Sequence, residues 1–344
     1  MAGRKVDALL VSAPSNVRYL TGYTGSNGLV LATSSGTDFF TDPRYGLDAT
    51  HTITCKVHVA KGPLLDAAAK LIKRKKLKKV GFEPAWMNVG EHQKLKEKLP
   101  LGVSLVPTGG IVEELRAVKS PAEIEQIRKS VQVNSEAYNR TIKRIRIGMR
   151  ELDVAAELDF QMRMLGAEKP AFDTIVAAGD RTALPHAHPT GRRLAANDLL
   201  LIDMGAFVDG YASDMTRMSF LGNPSRKIRI FYKAVLEAQL AATAEVRAGA
   251  STIRVDGAAR EVLKRHELER QFVHSTGHGL GLEIHEGPRI ARKEKTKLRA
   301  GMVITIEPGA YVEGLGGIRI EDTVLVTEHG CEVLTPTSKE FVSI

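Results

Sequence analysis

The distribution of apolar positions divides the chain in two. In the first third they fall in short runs of strand length separated by helix-length amphipathic segments. Residues 6–12 form one such run, and 28–33 and 37–41 flank Ser34-Ser35-Gly36 as a predicted hairpin. A strand is predicted over 52–59, a helix over 62–79, a short buried strand over 80–83, a helix over 89–98 and a strand over 103–107. This succession predicts a small α/β domain spanning 1–115.

The boundary is written in capping chemistry. Ser120-Pro121-Ala122-Glu123 places an N-cap serine before a proline, with a glutamate three residues after the cap. A helix is predicted from 121 to about 147, closed by Gly148, and the second domain takes 116–344. Within it a helix covers 151–165, and 172–178 leads to the loop Pro185-His186-Ala187-His188-Pro189. Residues 198–206 and 211–220 read as strands around Phe207-Val208-Asp209-Gly210, where Asp-Gly favours a hairpin turn. Helices over 226–247 and 252–267, a Gly/His-rich segment and strands over 303–307 and 317–326 complete an α+β pattern.

Composition narrows the class. The 344 residues are 43% hydrophobic and 26% charged, as in globular proteins, and their number suits two domains. With no run of 18 apolar residues, a membrane-spanning helix is excluded, so no membrane partner is expected. Residues 8–13 are too short for the apolar core of a leader and read as the first strand. Cys55 and Cys331, without a CxxC, exclude a disulfide scaffold and a cysteine metal site, and a cytoplasmic location is the default expectation. The net charge of +9 is uneven: residues 1–118 hold 17 Lys and Arg against 10 Asp and Glu, the remainder 32 against 30. Much of the excess is the run from Lys70 to Lys79. No aromatic residue interleaves it, and Leu65, Ala68, Ala69 and Ile72 give a buried stripe, so it reads as a solvated helix end rather than a nucleic-acid surface.

Candidate chemistry lies in the second domain. Asp203 and Asp214 flank the predicted turn and are expected roughly opposite each other, with Cβ atoms about 4.5–5.5 Å apart. Two carboxylates that close force a proton onto one of them. Leu200-Leu201-Ile202-Asp203-Met204-Gly205-Ala206 is too apolar for a surface acid, and a buried acid needs a counter-charge, for which Arg217 is the structural candidate. Glu307 ends an apolar run, and in Ile318-Arg319-Ile320-Glu321 the strand period puts Arg319 and Glu321 on one face. His274, His278 and His285 fall in one glycine-threaded segment, and His186 and His188 in the proline-flanked loop. Four converging carboxylates with one or two imidazoles cannot all stay ionised unaided. Two divalent cations would cancel them, and an oxygen-rich set with one nitrogen favours Mn²⁺, Co²⁺, Fe²⁺ or Zn²⁺.

In these motifs the chain resembles the Xaa-Pro peptidases, prolidase and aminopeptidase P, within the pita-bread metallopeptidases. Asn16-Val17-Arg18-Tyr19-Leu20-Thr21-Gly22-Tyr23-Thr24-Gly25-Ser26 and Thr41-Asp42-Pro43-Arg44-Tyr45 resemble the creatinase-like N-terminal domain of that family. The resemblance implies a pita-bread catalytic domain preceded by a smaller α/β domain. It implies that Asp203 binds one metal ion, Asp214 and Glu321 bridge two, and His278 and Glu307 bind the other. A bridging hydroxide would attack the scissile carbonyl with Glu307 as proton shuttle, while His186 and His285 contact substrate and stabilise the tetrahedral intermediate. His274 and Arg319 match supporting positions around the substrate, Arg319 holding the Glu321 region; His188 reads as a loop residue and Tyr211 as packing. Further implications are two divalent ions per subunit (manganese first, then cobalt, zinc or iron), a homodimer, and proline-containing dipeptides or short peptides as substrates. Between the two activities, dipeptidase is slightly favoured over aminopeptidase P. The alternative is a catalytically silent module on the same fold, holding nucleic acid through the lysine run; five matching ligand positions count against it.

Overall fold

The computed structural model describes residues 6–344. The chain separates into two compact units, one ending at Arg116 and one running from Ala117 to Ile344.

The first unit is a mixed sheet between helices. Its elements are β1 (Ala8–Val11), α1 (Pro14–Thr21), β2 (Gly28–Thr33), β3 (Gly36–Thr41), α2 (Gly46–Thr52), β4 (Lys56–Val59), α3 (Leu64–Arg74), β5 (Lys79–Phe82), α4 (Val89–Lys98), β6 (Ser104–Pro107) and α5 (Ile111–Arg116). The strand order is β4-β3-β2-β1-β5-β6. Period-two alternation explains why the strands are apolar throughout: Leu10, Leu31 and Phe40 pack with α3, while Leu9, Val30 and Phe39 pack with Val17 of α1 and Ala49 of α2. The expected strand over 52–59 is confined to Lys56–Val59, because 46–52 form α2. Helices α1, α2 and α5 were not expected. The reason is clear at α1, whose N-cap, Ala13, has no side-chain cap. Instead the Glu83 carboxylate, 70 residues away, accepts the N–H of Ser12 at 2.6 Å and of Ala13 at 2.8 Å. α3 ends at Arg74 rather than 79, so the lysine run covers its last turn and the residues 75–79 beyond it; Ala68, Ala69 and Ile72 are buried as expected, Leu65 is half-buried, and Lys70, Lys73, Lys76, Lys78 and Lys79 are exposed.

The second unit begins with α6 (Pro121–Ile142), α7 (Glu151–Met164), β7 (Lys169–Pro170), β8 (Ile175–Ala178), β9 (Leu199–Met204), β10 (Ala206–Val208), β11 (Tyr211–Ala212) and β12 (Met215–Phe220). It continues with α8 (Arg226–Ala244), α9 (Thr252–Arg265), β13 (Gly277–Gly279), β14 (Glu286–Ile290), β15 (Val303–Ile306), β16 (Gly309–Val312), β17 (Gly316–Arg319), β18 (Asp322–Val326), β19 (Cys331–Val333) and β20 (Val342–Ser343). The capping box at Ser120 and Glu123 forms as the sequence predicts. α6 ends at Ile142 rather than near 147, and Ile145 beyond it is fully buried in the core under α7. Two sheets, β20-β12-β9-β8 and β14-β13-β15-β18-β19, carry the core. β9 is buried on both faces: Leu200, Ile202 and Met204 pack with α6 and α7, Leu199 and Leu201 with α8 and α9.

Two expected strands are broken where the site is built. The 198–220 ribbon kinks at Gly205, where a Cβ would lie 2.1 Å from the Ser213 carbonyl oxygen. The expected 317–326 strand splits into β17 and β18, which belong to different sheets, with Ile320 and Glu321 between them.

Candidate metal centre

Strand ends deliver the acids. Asp203 is the penultimate residue of β9, Asp214 precedes β12, Glu307 follows β15 and Glu321 lies between β17 and β18. The β9–β12 register pairs Asp203 with Thr216. Asp214 stands two positions earlier, so the two aspartates are diagonal rather than opposite, a correction to the symmetric-turn expectation. Arg217 pairs with neither: its guanidinium binds Asp322 Oδ1 at 2.7 Å.

The histidine segment reaches the acids through close backbone approach. A Cβ on Gly277 would lie 1.9 Å from the Thr305 carbonyl oxygen, so only glycine lets β13 lie this close to β15. From α9, Asp256 accepts Thr276 Oγ1 at 2.8 Å, and the Thr276 carbonyl accepts the Glu307 N–H at 2.7 Å. His278 Nδ1 faces the Gly279 carbonyl at 2.9 Å. A carbonyl only accepts, so Nδ1 carries the proton and Nε2 presents a lone pair. That Nε2 lies 3.6 Å from Asp214 Oδ2 and 3.5 Å from Glu307 Oε1. Ligand-capable atoms of Asp214, His278 and Glu321 all fall within 4.8 Å of one another.

Arg319 supplies the fixed positive charge. It donates to Asp203 Oδ2 at 2.5 Å, Tyr311 Oη at 2.6 Å, the Pro185 carbonyl at 3.1 Å and Thr216 Oγ1 at 3.1 Å. The Thr216 hydroxyl in turn donates to Glu321 Oε2 at 2.7 Å. Arg319 therefore holds Asp203 directly and Glu321 only through Thr216, and it also lines the cavity. His274 is similarly engaged: Nδ1 faces the Ser275 carbonyl at 2.8 Å, and Nε2 accepts from Tyr311 Oη at 2.9 Å.

One guanidinium does not balance four acids. Burial, reinforced by the charges of Glu321, Asp203 and Glu307, pushes the Asp214 carboxyl well above the usual range. Burial, reinforced by Glu307 and Asp203, does the same to Glu321. Burial lifts Glu307 to about 8 against the pull of Arg319. Burial also lowers His278 and His274 to about 4, leaving both neutral at pH 7. Oδ1 of Asp203 and Oδ1 of Asp214 are buried without a hydrogen-bond partner. Orphaned carboxylate oxygens, excess negative charge and one imidazole lone pair form a donor set that fits divalent cations.

All the candidate residues named from the sequence, Asp203, Asp214, His278, Glu307, Glu321, Arg319, His186, His274 and His285, line one cavity of about 600 Å³. His285 stacks edge-on against His278 with ring centroids 4.4 Å apart. His188, read as a loop residue, lies in a loop and also lines the cavity. Tyr211 packs beside α6, its hydroxyl 3.3 Å from Glu123 Oε1. Sequence reading missed Thr216 and Tyr311, because no spacing singles out either hydroxyl within its strand. It also missed Phe172, Ile175, Ile284 and Arg289 of the cavity wall.

The sequence pattern of metallopeptidase family M24 matches residues 125–328, and that of the creatinase/prolidase N-terminal domain matches 1–118. The chain is 38% identical over 344 residues to an Xaa-Pro dipeptidase of Pyrococcus furiosus, covering 99% of this chain and 97% of that one. Among solved structures it is similar to an Xaa-Pro dipeptidase from Bacillus anthracis, with TM-score 0.97, 36% identity, and 100% and 96% of the two chains covered. It is also similar to an X-Pro aminopeptidase from Thermotoga maritima, with TM-score 0.93, 34% identity and 98% of each chain covered.

Proposed function

The chain belongs to metallopeptidase family M24, a creatinase-type N-terminal domain followed by a pita-bread domain, and from that premise we propose that it is a two-metal exopeptidase hydrolysing the Xaa-Pro bond of dipeptides. The observation that carries the reading is the convergence of four carboxylates and the His278 lone pair on one cavity, with two buried carboxylate oxygens left unpartnered. In this reading Asp203, Asp214, His278, Glu307 and Glu321 would hold two divalent cations, manganese first. When bound, such cations acidify a water and polarise the scissile carbonyl.

The chain's own residues do the rest. Glu307 takes the proton of the attacking water at its carboxylate and returns it to the leaving nitrogen. His285 and His186, exposed at the cavity, hydrogen-bond the carbonyl oxygen as negative charge develops on it. Arg319 orients Asp203, and Thr216 orients Glu321. The Tyr311 hydroxyl joins Arg319 to His274, so His274 positions its neighbours rather than the peptide. The reading includes a homodimer, inherited from the family resemblance, and a cytoplasmic location, the default for a chain without a disulfide scaffold; analytical ultracentrifugation tests the first.

The similarity to the Thermotoga maritima X-Pro aminopeptidase favours a second reading in which longer peptides enter. The deciding experiment uses chelated protein reconstituted with Mn²⁺ and compares Ala-Pro, Ala-Pro-Ala and a Met-Ala-Ala control. Cleavage of Ala-Pro alone supports a dipeptidase, and cleavage of Ala-Pro-Ala an aminopeptidase. Turnover of neither, or turnover unaffected by chelation, overturns the proposal.

A further inference from the structure

Glu286 follows His285 directly, and its carboxylate faces a buried ammonium. Lys119 Nζ lies 3.1 Å from Glu286 Oε2, with the two side chains only 1% and 5% exposed. The pair closes the loop over 281–286. Glu286 Oε1 accepts the Glu283 N–H at 3.1 Å, and the Gly281 N–H donates to the Glu283 carbonyl at 3.0 Å. A Cβ on Gly281 would lie 2.8 Å from Glu286 Oε1 and 3.0 Å from Lys119 Cε, so this loop closes on the ion pair only with glycine there. The Gly281 carbonyl accepts from Ala212 N–H at 2.8 Å, on the strand that leads to Asp214. The lysine backbone is fixed as firmly: its N–H donates to the Gly301 carbonyl at 2.8 Å, and Val118 bridges to Met302 at the start of the strand that leads to Glu307.

We propose that Lys119 is a positioning residue for His285: its buried ammonium, held on Glu286, locks the 281–286 loop and so fixes where the His285 imidazole stands at the cavity. The inference rests on the Xaa-Pro peptidase reading, in which His285 meets the charge developing on the carbonyl oxygen. An ion pair this dry is costly to break, because the abandoned carboxylate must be rehydrated, and the same carboxylate holds the Glu283 N–H, so moving it loosens the loop. A displaced hydrogen-bond donor weakens the transition state far more than it weakens substrate binding.

Lys119→Met keeps the aliphatic stem and deletes the charge. In Mn²⁺-reconstituted full-length protein acting on Ala-Pro, kcat is expected to fall about tenfold or more, with KM and metal content nearly unchanged. A cycle with His285→Ala separates positioning from general weakening. If Lys119 acts through this ring, K119M in the H285A background lowers kcat no further. Wild-type kcat in K119M, loss of metal, or additive losses in the cycle would each overturn the proposal. Amide hydrogen exchange gives a readout independent of activity: Gly281 and Glu283 should lose protection in K119M while the helices keep theirs. Unchanged protection at those amides refutes the loop lock even if the wild-type protein cleaves no Xaa-Pro bond and the functional reading itself fails. Should K119M not fold, Glu286→Gln keeps one acceptor oxygen for the Glu283 N–H, turns the oxygen facing Lys119 into an NH2 donor and so breaks the pair, and carries the same kinetics, cycle and exchange.

Discussion

Replacing Arg217 by methionine removes the most connected buried cation outside the cavity. The side chain is 2% exposed and donates to Asp322 Oδ1 at 2.7 Å, to the carbonyls of Glu321 and Thr337 at 2.6 Å, and to those of Thr216 and Ser338 at 3.0 Å. Asp322 is fully buried, and without Arg217 it retains Gln239 at 3.0 Å and the Lys339 ammonium. Breaking a buried pair costs about 3–5 kcal/mol, and the surviving Lys339 contact places this case at the lower end, about 3 kcal/mol. For a unit of about 150–250 residues each kcal/mol is worth about 2–4 °C, so the transition of the second unit should fall by about 6–12 °C. Calorimetry is the assay. Trp86, the chain's one tryptophan, lies in the first unit, so its fluorescence monitors that unit alone. The double variant R217M/D322L removes both charges and should be more stable than the sum of the single losses predicts, because neither charge is then buried without the other, while the stranded Lys339 ammonium and the carbonyls that Arg217 served keep it below wild type. A single-variant loss below about 1 kcal/mol, or a double variant no better than the sum of its singles, would refute the reasoning.

The other predictions concern ligands, backbone and pH. Glu307→Gln should abolish Ala-Pro turnover and weaken metal retention in atomic emission, whereas His285→Ala should keep its metal and lose rate; equal metal loss in both would contradict the division of roles. Gly205→Ala should destabilise the second unit by about 1–3 kcal/mol in urea, because the new Cβ meets a backbone oxygen that cannot swing away; a neutral result would deny the kink its role. In the first unit, burial pushes the Asp38 carboxyl up, but His58 at 2.7 Å and Lys75 at 2.9 Å outweigh it and hold the pKa below 3.8. A depressed folded pKa contributes stability that is present above pH 3.8 and lost as pH falls through the folded value. The stability gap between wild type and Asp38→Asn, followed by Trp86 fluorescence, should therefore narrow on acidification below that point; a constant gap would count against the ion pairs.

What the sequence determined is whatever repeats or caps within a few residues. The Ser120–Glu123 box, the apolar stripe of α3, the period-two strands and the clustering of histidines among glycines are local patterns with local causes, and with the apolar settings of the acids they drew attention to Asp203, Asp214, Glu307, Glu321, His274, His278 and His285. Tertiary structure decided what depends on partners far along the chain. Helix α1 could not be read from its own N-cap, because its capping acceptor is Glu83, 70 residues away. The offset of Asp203 from Asp214 is instead local: the Asp209-Gly210 turn pairs Val208 with Tyr211, and the same register runs on to pair Asp203 with Thr216. Arg319 and Glu321 do share a site, but Arg319 spends its donors on Asp203, Tyr311, Pro185 and Thr216, from segments up to 134 residues distant. Periodicity records which face a residue takes. It carries no record of which buried charge will meet which, because that choice is made only when desolvation brings distant segments together and each must find a counter-charge.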